Sequence, residues 1–290
     1  MTPTRLLTCL VLLVLGAGCR ANLPAPPTAP VALPGSVANP MSVYDPRWTT
    51  TPEQLATPAG TRVAVRDRVG PSWSGSAGLG VFSQYVWRGA LLVDDPVLQP
   101  DVTVAYGGLS LNVWGNIDLT DVNGFEGELN EVNITLDYTH TFDGRVPVDV
   151  SVGGIWYTSP AGWFDDLAEV YAGVGLDVFL KPRLTVYFGV YEVEGIFGTL
   201  EFGHECRLGC GTLELGTGIS AGDSVFHEAL FSVSDDSLGE FFFDVGWTYT
   251  RGRWSVRPGV RFSTLVDGTL RDAQDDNDFV VFSLQASVDF

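Results

Sequence analysis

The sequence contains few charged side chains and very few basic ones. Charged residues make up 18% of the 290 positions, against about 25% in an ordinary soluble domain. Lysine occurs once, at Lys181, and 16 basic residues stand against 35 acidic ones, which gives a formal net charge of −19. Such a chain cannot neutralise a run of phosphates, so a nucleic-acid partner is excluded. Low charge, acidity and an aromatic content of 12% argue against a cytoplasmic enzyme.

Long hydrophobic runs are also scarce, and the clearest one, Leu6 to Ala17, lies at the N-terminus behind Arg5. It is shorter than the roughly 20 residues of a membrane-spanning helix. It therefore predicts a secretory signal peptide over residues 1–18. Small residues before Cys19 resemble the lipobox of bacterial lipoproteins, although Gly16 stands where such boxes usually carry Leu. Lipidation of Cys19 and ordinary cleavage nearby both stay open.

Proline is concentrated in one stretch, which begins with Pro24-Ala-Pro-Pro-Thr-Ala-Pro30. Proline removes backbone donors and favours an extended, polyproline-like chain, so this stretch cannot build a core. Residues 19–75 are therefore predicted to be a tether in the periplasm. A contact with peptidoglycan or a partner is the alternative.

From Ser76 onward the hydrophobic pattern has a period of two. Between Val280 and Phe290 apolar and polar side chains alternate, with Val281 as the exception, which indicates a strand and excludes a helical stripe. Twelve such segments are predicted, at 76–89, 96–107, 108–119, 128–142, 146–158, 166–180, 183–193, 196–204, 211–220, 238–250, 252–265 and 278–290. Their number and length predict an all-β fold, a transmembrane antiparallel up-and-down β-barrel of about twelve strands over residues 76–290.

The connections between these segments alternate in length and in charge. Short ones such as Asp143-Gly-Arg145 and Arg251-Gly-Arg253 are mainly basic. Long ones such as Ala221 to Ser237 and Val266 to Asn277 are strongly acidic. Bacterial barrels have short periplasmic turns and long outer loops. The pattern therefore predicts the cell outer membrane, with the long loops facing outward towards lipopolysaccharide.

The chain ends on Phe290 after an alternating apolar strand. A terminal aromatic strand resembles the signal by which the outer-membrane assembly machinery recognises its clients. Together with the signal peptide and the barrel pattern, it predicts that machinery and the lipid bilayer as partners.

Five stretches of the barrel region have a recognisable pattern: Phe82-Ser-Gln-Tyr-Val-Trp-Arg-Gly89, Pro96-Val-Leu-Gln-Pro100, Leu111-Asn-Val-Trp-Gly-Asn116, Glu169-Val-Tyr-Ala-Gly173 and the acidic stretch of 265–278. They resemble the TorF-like porins and related outer-membrane barrels of Gram-negative bacteria. The resemblance covers roughly residues 76–290 and implies a porin-like barrel, without naming a solute or supplying catalytic residues.

Polar and charged side chains are predicted on the inward faces, where they would line a pore: Gln84, Arg88, Asn112, Asn116, Asp118, Asp137, Asp177, Glu214, Asp244, Arg257, Arg261 and Asp289. Acids outnumber bases among them, and acidic rings favour cations. The sequence therefore predicts a narrow diffusion channel for small solutes or ions that prefers cations. A non-conducting structural or adhesive barrel is the alternative, in which acidic loop residues such as Asp275 and Asp276 hold divalent cations that bridge to lipopolysaccharide.

Two further sets of residues, the cysteines and the histidines, are of types that can bind metals, form disulfides or act in catalysis. Cys206 and Cys210 predict a disulfide, since a secreted context favours bridged cysteines, with a metal site or unbonded thiols as alternatives. Barrel hydrolases use a His with Ser or Asp, but the three histidines, His140, His204 and His227, have no nucleophile placed beside them by the sequence. No enzyme activity, catalytic residue, cofactor or metal is therefore predicted.

Overall fold

The computed structural model describes residues 73–290. They form fourteen strands and two short helices, here numbered in chain order. The strands are β1 (Trp73–Phe82), β2 (Tyr85–Trp87), β3 (Ala90–Val93), β4 (Val97–Tyr106), β5 (Leu109–Asp118), β6 (Leu129–Phe142), β7 (Val148–Thr158), β8 (Leu167–Leu176), β9 (Arg183–Tyr191), β10 (Ile196–Leu208), β11 (Gly211–Gly222), β12 (Ser237–Arg251), β13 (Trp254–Leu265) and β14 (Asp278–Asp289). The helices are α1 (Ser224–Phe231) and α2 (Gly268–Asp272).

Twelve of the strands close into one antiparallel barrel. β4 to β14 pair in sequence order, and β1 closes the ring by pairing with β4 on one side and β14 on the other. The register of the closing pair places Ser76 opposite Asp289 and Val81 opposite Leu284. Closure leaves neither edge strand unpaired, and the predicted twelve-strand barrel is confirmed.

The two faces of the barrel wall differ in polarity as the period of two predicts. On β5, Leu111 and Val113 point outward and are exposed, whereas Asn112 and Asn116 point inward and are buried. Large apolar side chains are likewise exposed on the outside of all the remaining barrel strands except β11, with Leu79, Leu136, Val152 and Leu284 among them. This leaves an apolar outer surface around a largely polar interior.

The connections separate by length onto the two ends of the barrel, with the short β9–β10 connection at 192–195 as the exception. The end that holds Trp73 and Phe290 has tight turns, two of which place Gly107 and Gly252 at a φ of 60° and 64°, where glycine is favoured. The opposite end carries the long connections with β2, β3, α1 and α2. Neither helix is of a length that could cross a bilayer.

The first predicted strand, 76–89, is wrong at its C-terminal end. β1 stops at Phe82, and β2 and β3 form a separate hairpin that pairs only with itself. The chain reverses at Arg88 and Gly89, whose φ angles of 52° and 88° are typical of a two-residue hairpin turn. Both positive angles are incompatible with a continuing strand.

Several smaller features also differ from the prediction. β8 ends at Leu176, before the predicted end at 180, so that Asp177 lies in a turn. β1 begins at Trp73, before the expected boundary at Ser76. β10 continues to Leu208, beyond the predicted end at 204, which places Glu205 and Cys206 in a strand rather than in a turn. The predicted loop 221–237 contains helix α1, capped by Asp223, whose Oδ1 accepts a hydrogen bond from the amide of Phe226 at 2.8 Å. The predicted signal peptide, Cys19 and nearly all of the tether lie outside the described residues.

Candidate functional site

The β2–β3 hairpin is inserted into the interior of the barrel, and we call residues 84–94 the plug hairpin. The ring of Tyr85 lies 5.8 Å from that of Trp114 on β5, between centroids. The ring centroids of Trp87 and Tyr157, on β7, lie 6.1 Å apart. At the tip, a Cβ added to Gly89 would lie 2.6 Å from Leu265 Cδ2, on β13. The hairpin therefore touches opposite walls of the barrel.

A buried ion pair fixes the tip of the plug hairpin. Arg88 donates through Nη1 and Nη2 to the two carboxylate oxygens of Glu169 on β8, each at 2.7 Å. The hydroxyl of Tyr157 donates to Glu169 Oε2 at 2.7 Å. Arg88 is only 5% exposed. Buried charges of this kind are stable only when paired and hydrogen-bonded, and this carboxylate meets both conditions.

Aromatic rings surround the guanidinium of Arg88. Its Cζ lies 4.2 Å from the ring centroid of Phe197, 4.8 Å from that of Tyr187 and 5.2 Å from that of Phe226. These are cation–π distances. Burial by itself lowers the pKa of Arg88, but Glu169 offsets this and holds the pKa above its usual range, so the side chain stays charged.

Apolar packing completes the closure at the long-loop end. Phe226 projects from α1 to lie 4.8 Å from Phe197, between ring centroids. Trp163 and Phe164, from the β7–β8 connection, pack against the same buried cluster. A second cluster joins Ala90 of the plug hairpin to Phe231, Leu265 and Leu270. The plug hairpin is therefore covered by two helices and an aromatic loop.

The other half of the interior is lined by paired charges on the barrel strands. Arg257 donates through Nε to Glu214 Oε2 at 2.7 Å and through Nη2 to Asp244 Oδ1 at 2.5 Å. Thr248 Oγ1 donates to Glu214 Oε1 at 2.5 Å. The guanidinium occupies the space that a side chain at Gly246 would fill. We call Arg257, Glu214, Asp244 and Thr248 the Arg257 cluster.

Further inward carboxylates are hydrogen-bonded in the same manner. Glu240 accepts from Arg261 Nη2 at 2.9 Å and from Ser263 Oγ at 2.7 Å. Asp137 accepts from Thr139 at 2.8 Å and from the hydroxyl of Tyr171 at 2.9 Å. Acidic groups on the inner wall thus outnumber the arginines that pair with them.

The predicted pore-lining residues fall into two groups. Those on inward positions of barrel strands are Asn112, Asn116, Asp118, Asp137, Glu214, Asp244, Arg257 and Arg261. The other four lie elsewhere: Arg88 at the tip of the plug hairpin, Gln84 at its base with its amide donating to Asp94, Asp177 exposed in the turn after β8, and Asp289 exposed at the end of β14.

Sequence reasoning missed Glu131, Glu169 and Glu240, which are all inward. Glu169 is two positions before Tyr171 on β8, so the period of two would have placed it inside. Glu131 is harder to assign, because β5 and β6 shift register between Asn116 and Ile117 and Asn130 is buried beside it. A bulge of this type cannot be located from alternation alone.

Within residues 73–290, the cysteines and histidines show no reactive arrangement. Cys206, near the end of β10, and Cys210, in the following turn, are both exposed and are not bonded to each other, and their predicted disulfide stays a prediction. His227 is fully buried on α1, and its Nδ1 lies 2.7 Å from the carbonyl oxygen of Asp235 and 3.4 Å from Ser237 Oγ. Because Nδ1 faces the carbonyl oxygen, it is not placed to act as a base towards Ser237.

Comparison with known proteins finds only distant similarity. No family model matches the chain, and no curated protein matches it. Among solved structures, the NanC porin is 10% identical with a TM-score of 0.44, over 75% of this chain and 99% of that one. An outer membrane channel from Pseudomonas putida F1 is 9% identical with a TM-score of 0.44, over 76% and 96%.

OprB of Pseudomonas putida is a third similar structure, 10% identical with a TM-score of 0.34 over 70% of this chain. This chain spans 61% of the length of OprB. The twelve-strand barrel described above rests on the strand pairing of this chain.

Proposed function

We propose that this protein is an outer-membrane β-barrel channel held closed by its plug hairpin. One observation carries the proposal: Arg88, at the tip of a hairpin that is not part of the barrel sheet, is held by Glu169 on the inner wall. A barrel that needed only a structural filling could use side chains from its own strands, as the Arg257 cluster does. A separate segment held to the wall mainly by side-chain contacts, with this ion pair at its tip, can instead move as a unit.

The membrane location is supported by the outer face of the barrel. Large apolar side chains are exposed on the outside of eleven of the twelve barrel strands, and closure satisfies the backbone groups that lipid cannot. At the short-turn end, Trp73 lies 5.0 Å from Tyr106, between ring centroids, near the exposed Trp254 and Phe290. Aromatic belts of this kind occur at membrane interfaces. The tether then lies in the periplasm, as the sequence predicts.

The inner wall supports a preference for cations. Glu214 and Asp244 are inward acids that pair with Arg257, and Glu240 is an inward acid that pairs with Arg261. Asp137 is a further inward acid, which accepts from the hydroxyl of Tyr171. In a low-dielectric channel, excess charge of one sign concentrates counter-ions. We also propose that the chain is related to the TorF-like porins, because it carries the sequence motifs given above. The competing function is a structural or adhesive barrel that never conducts.

Planar-bilayer recording of the full-length protein in a KCl gradient tests this function. We expect long closed periods with rare openings, and a reversal potential that favours cations during the openings. A permanently open wild-type pore would contradict closure by the plug hairpin. A reversal potential that favours anions would contradict the selectivity. A protein that stays in the aqueous phase on detergent partitioning would contradict the membrane location.

A further inference from the structure

The guanidinium of Arg88 lies in a pocket whose walls belong to the barrel sheet. Each strand from β7 to β10 contributes one inward side chain to it, and the four are Tyr157, Glu169, Tyr187 and Phe197. Tyr187 is directly opposite Phe197 in the strand register, and their ring centroids lie 6.0 Å apart. We call these four residues the Arg88 pocket. Because all four are on paired barrel strands, their backbone positions do not depend on the plug hairpin.

The Arg88 pocket recognises the shape of a guanidinium as well as its charge. The two oxygens of Glu169 accept hydrogen bonds from the two Nη atoms, each at 2.7 Å. This fork fits a planar guanidinium, whereas a compact ammonium group cannot fill it. Tyr157 orients the carboxylate by donating to its Oε2 at 2.7 Å. The rings of Phe197 and Tyr187 lie 4.2 Å and 4.8 Å from Cζ, where their faces attract the cation.

Arg88 fills this pocket from a position in the hairpin that does not suit arginine. Its φ is 52°, and the first position of such a two-residue turn usually carries Asn or Gly, because left-handed backbone crowds a larger side chain. Among residues 73–290, its buried Nε has no hydrogen-bond partner. Trp87 and Phe226, which cover the guanidinium, lie on the plug hairpin and on α1 rather than on the wall. A free guanidinium has no strained turn to hold, so it can compete with Arg88 for the wall residues.

We propose that the Arg88 pocket is the binding site for small solutes that carry a guanidinium group, and that such a solute opens the channel by taking the place of Arg88. The opening step rests on the proposed function, whereas binding to the wall does not require conduction. When the plug hairpin leaves, Trp87 leaves with it, which frees a side of the pocket for the rest of the solute. The general preference for cations is thereby narrowed to one class that the pocket selects, planar organic cations.

Calorimetric titration of the Arg88→Ala variant tests the binding step, because this variant leaves the pocket empty. The full-length protein is folded in detergent and titrated with millimolar guanidinium chloride, and separately with methylammonium chloride at the same ionic strength. We expect saturable binding of guanidinium. Methylammonium should bind at least about tenfold more weakly, since it cannot make both charged hydrogen bonds of the fork.

Glu169→Gln in the Arg88→Ala background is the matched variant for this titration. It keeps the size of the side chain and removes the charge that pairs with guanidinium, so the affinity should fall by more than about tenfold. Arg253→Ala removes an exposed arginine elsewhere and leaves the pocket occupied, so it should bind no more guanidinium than the wild type. An affinity that Glu169→Gln does not change, or a saturable site created by Arg253→Ala, would overturn the assignment of the pocket.

Planar-bilayer recording of the wild type tests the opening step and does not depend on the folding of any variant. Millimolar guanidinium chloride should raise the open probability with a saturable dose dependence. Equal concentrations of methylammonium chloride or KCl should not raise it. Guanidinium that binds Arg88→Ala but leaves the wild-type openings unchanged would overturn the displacement of Arg88.

The two assays distinguish failure of this inference from failure of the proposed function. A channel that opens when Arg88 is removed but binds no guanidinium would overturn the inference and leave the proposed function standing. A barrel that never conducts, but whose Arg88→Ala variant binds guanidinium through Glu169, would overturn the proposed function and support the pocket.

Discussion

The two halves of the barrel interior are filled in different ways. At the long-loop end, an inserted hairpin, two helices and aromatic rings close the interior around Arg88. At the short-turn end, strand side chains such as Arg257 and Glu214 pair with one another along the wall. Under the proposed function, filling of the first kind leaves the interior without unfolding the barrel, whereas filling of the second kind is part of the wall. We therefore expect residues of the first kind to control opening and residues of the second kind to control stability.

Backbone hydrogen bonding supports this distinction. β2 and β3 pair only with each other, whereas β11, β12 and β13, which carry the Arg257 cluster, are each paired on both sides. The plug hairpin is joined to the wall mainly through side chains. The nearest backbone hydrogen bond to the wall is made by the residue just before it, where Ser83 N donates to the carbonyl oxygen of Phe282 at 2.9 Å. Its retention therefore depends on a few side chains.

The largest effect is expected for Arg88→Ala. This change leaves Glu169 buried without its arginine, and breaking a buried pair costs about 3–5 kcal/mol. Even the lower figure corresponds to about a hundredfold rise in the population with the hairpin displaced. Single-channel open probability should rise accordingly, while the barrel stays folded. Arg253→Ala, at an exposed arginine in a tight turn, is the control and should conduct like the wild type.

Arg257→Ala should have the opposite effects, a large loss of stability with little change in open probability. It leaves Glu214 and Asp244 unpaired on the wall, so the free energy of unfolding should fall by about 3–5 kcal/mol. Urea titration of the refolded barrel measures this. Open probability should stay low, and the cation preference of the rare openings should increase. A strongly raised open probability would show that the two halves are not separable.

Gly246→Ala should give a smaller loss of stability. Its new Cβ would occupy the position of the Arg257 guanidinium, and forcing extra volume into a packed site costs about 1–3 kcal/mol. The added methyl group and the Arg257 guanidinium would overlap, so the guanidinium must move. Gly268→Ala, where an added Cβ meets nothing within 4 Å, is the matched control. Equal urea midpoints for the two variants would argue against tight packing of the Arg257 cluster.

The smallest effect is expected at the loops. Asp275→Asn with Asp276→Asn removes charge from an exposed loop, and exposed charges are screened beyond about 10 Å at 0.1 M salt. The reversal potential should shift slightly towards anions in dilute KCl and not at all in concentrated KCl. A shift that persists in concentrated salt would place these acids in the conduction path instead.

The barrel wall was predictable from sequence because each of its strands has an apolar outside and a largely polar inside. The strand from Leu109 to Asp118 shows this period without tertiary information. The plug hairpin follows no such rule, since both of its faces meet other protein groups. The sequence pattern at Val86 and Trp87 therefore predicts a continuation of β1. The sequence feature that indicates a separate hairpin is Arg88-Gly89, which can form a tight turn between two short apolar runs.

The candidate site was only partly predictable for a related reason. Alternation places Asp244 and Arg257 inside, but it gives no register between strands, so the partner Glu214 could not be assigned to them. Arg88 was predicted on a pore wall, whereas it belongs to a segment that crosses the interior. Its contact with Glu169 joins residues far apart in the chain, which no local pattern reveals.

The conductance of a barrel without its plug hairpin tests the central claim most directly. Residues Gln84–Asp94 are replaced by a short Gly-Ser linker, and heat-modifiable migration confirms that the barrel has folded. The account predicts a steadily open, cation-preferring pore where the wild type is mostly closed. A folded deletion variant with the same rare openings as the wild type, or with no conductance, would contradict the claim that the plug hairpin closes this channel.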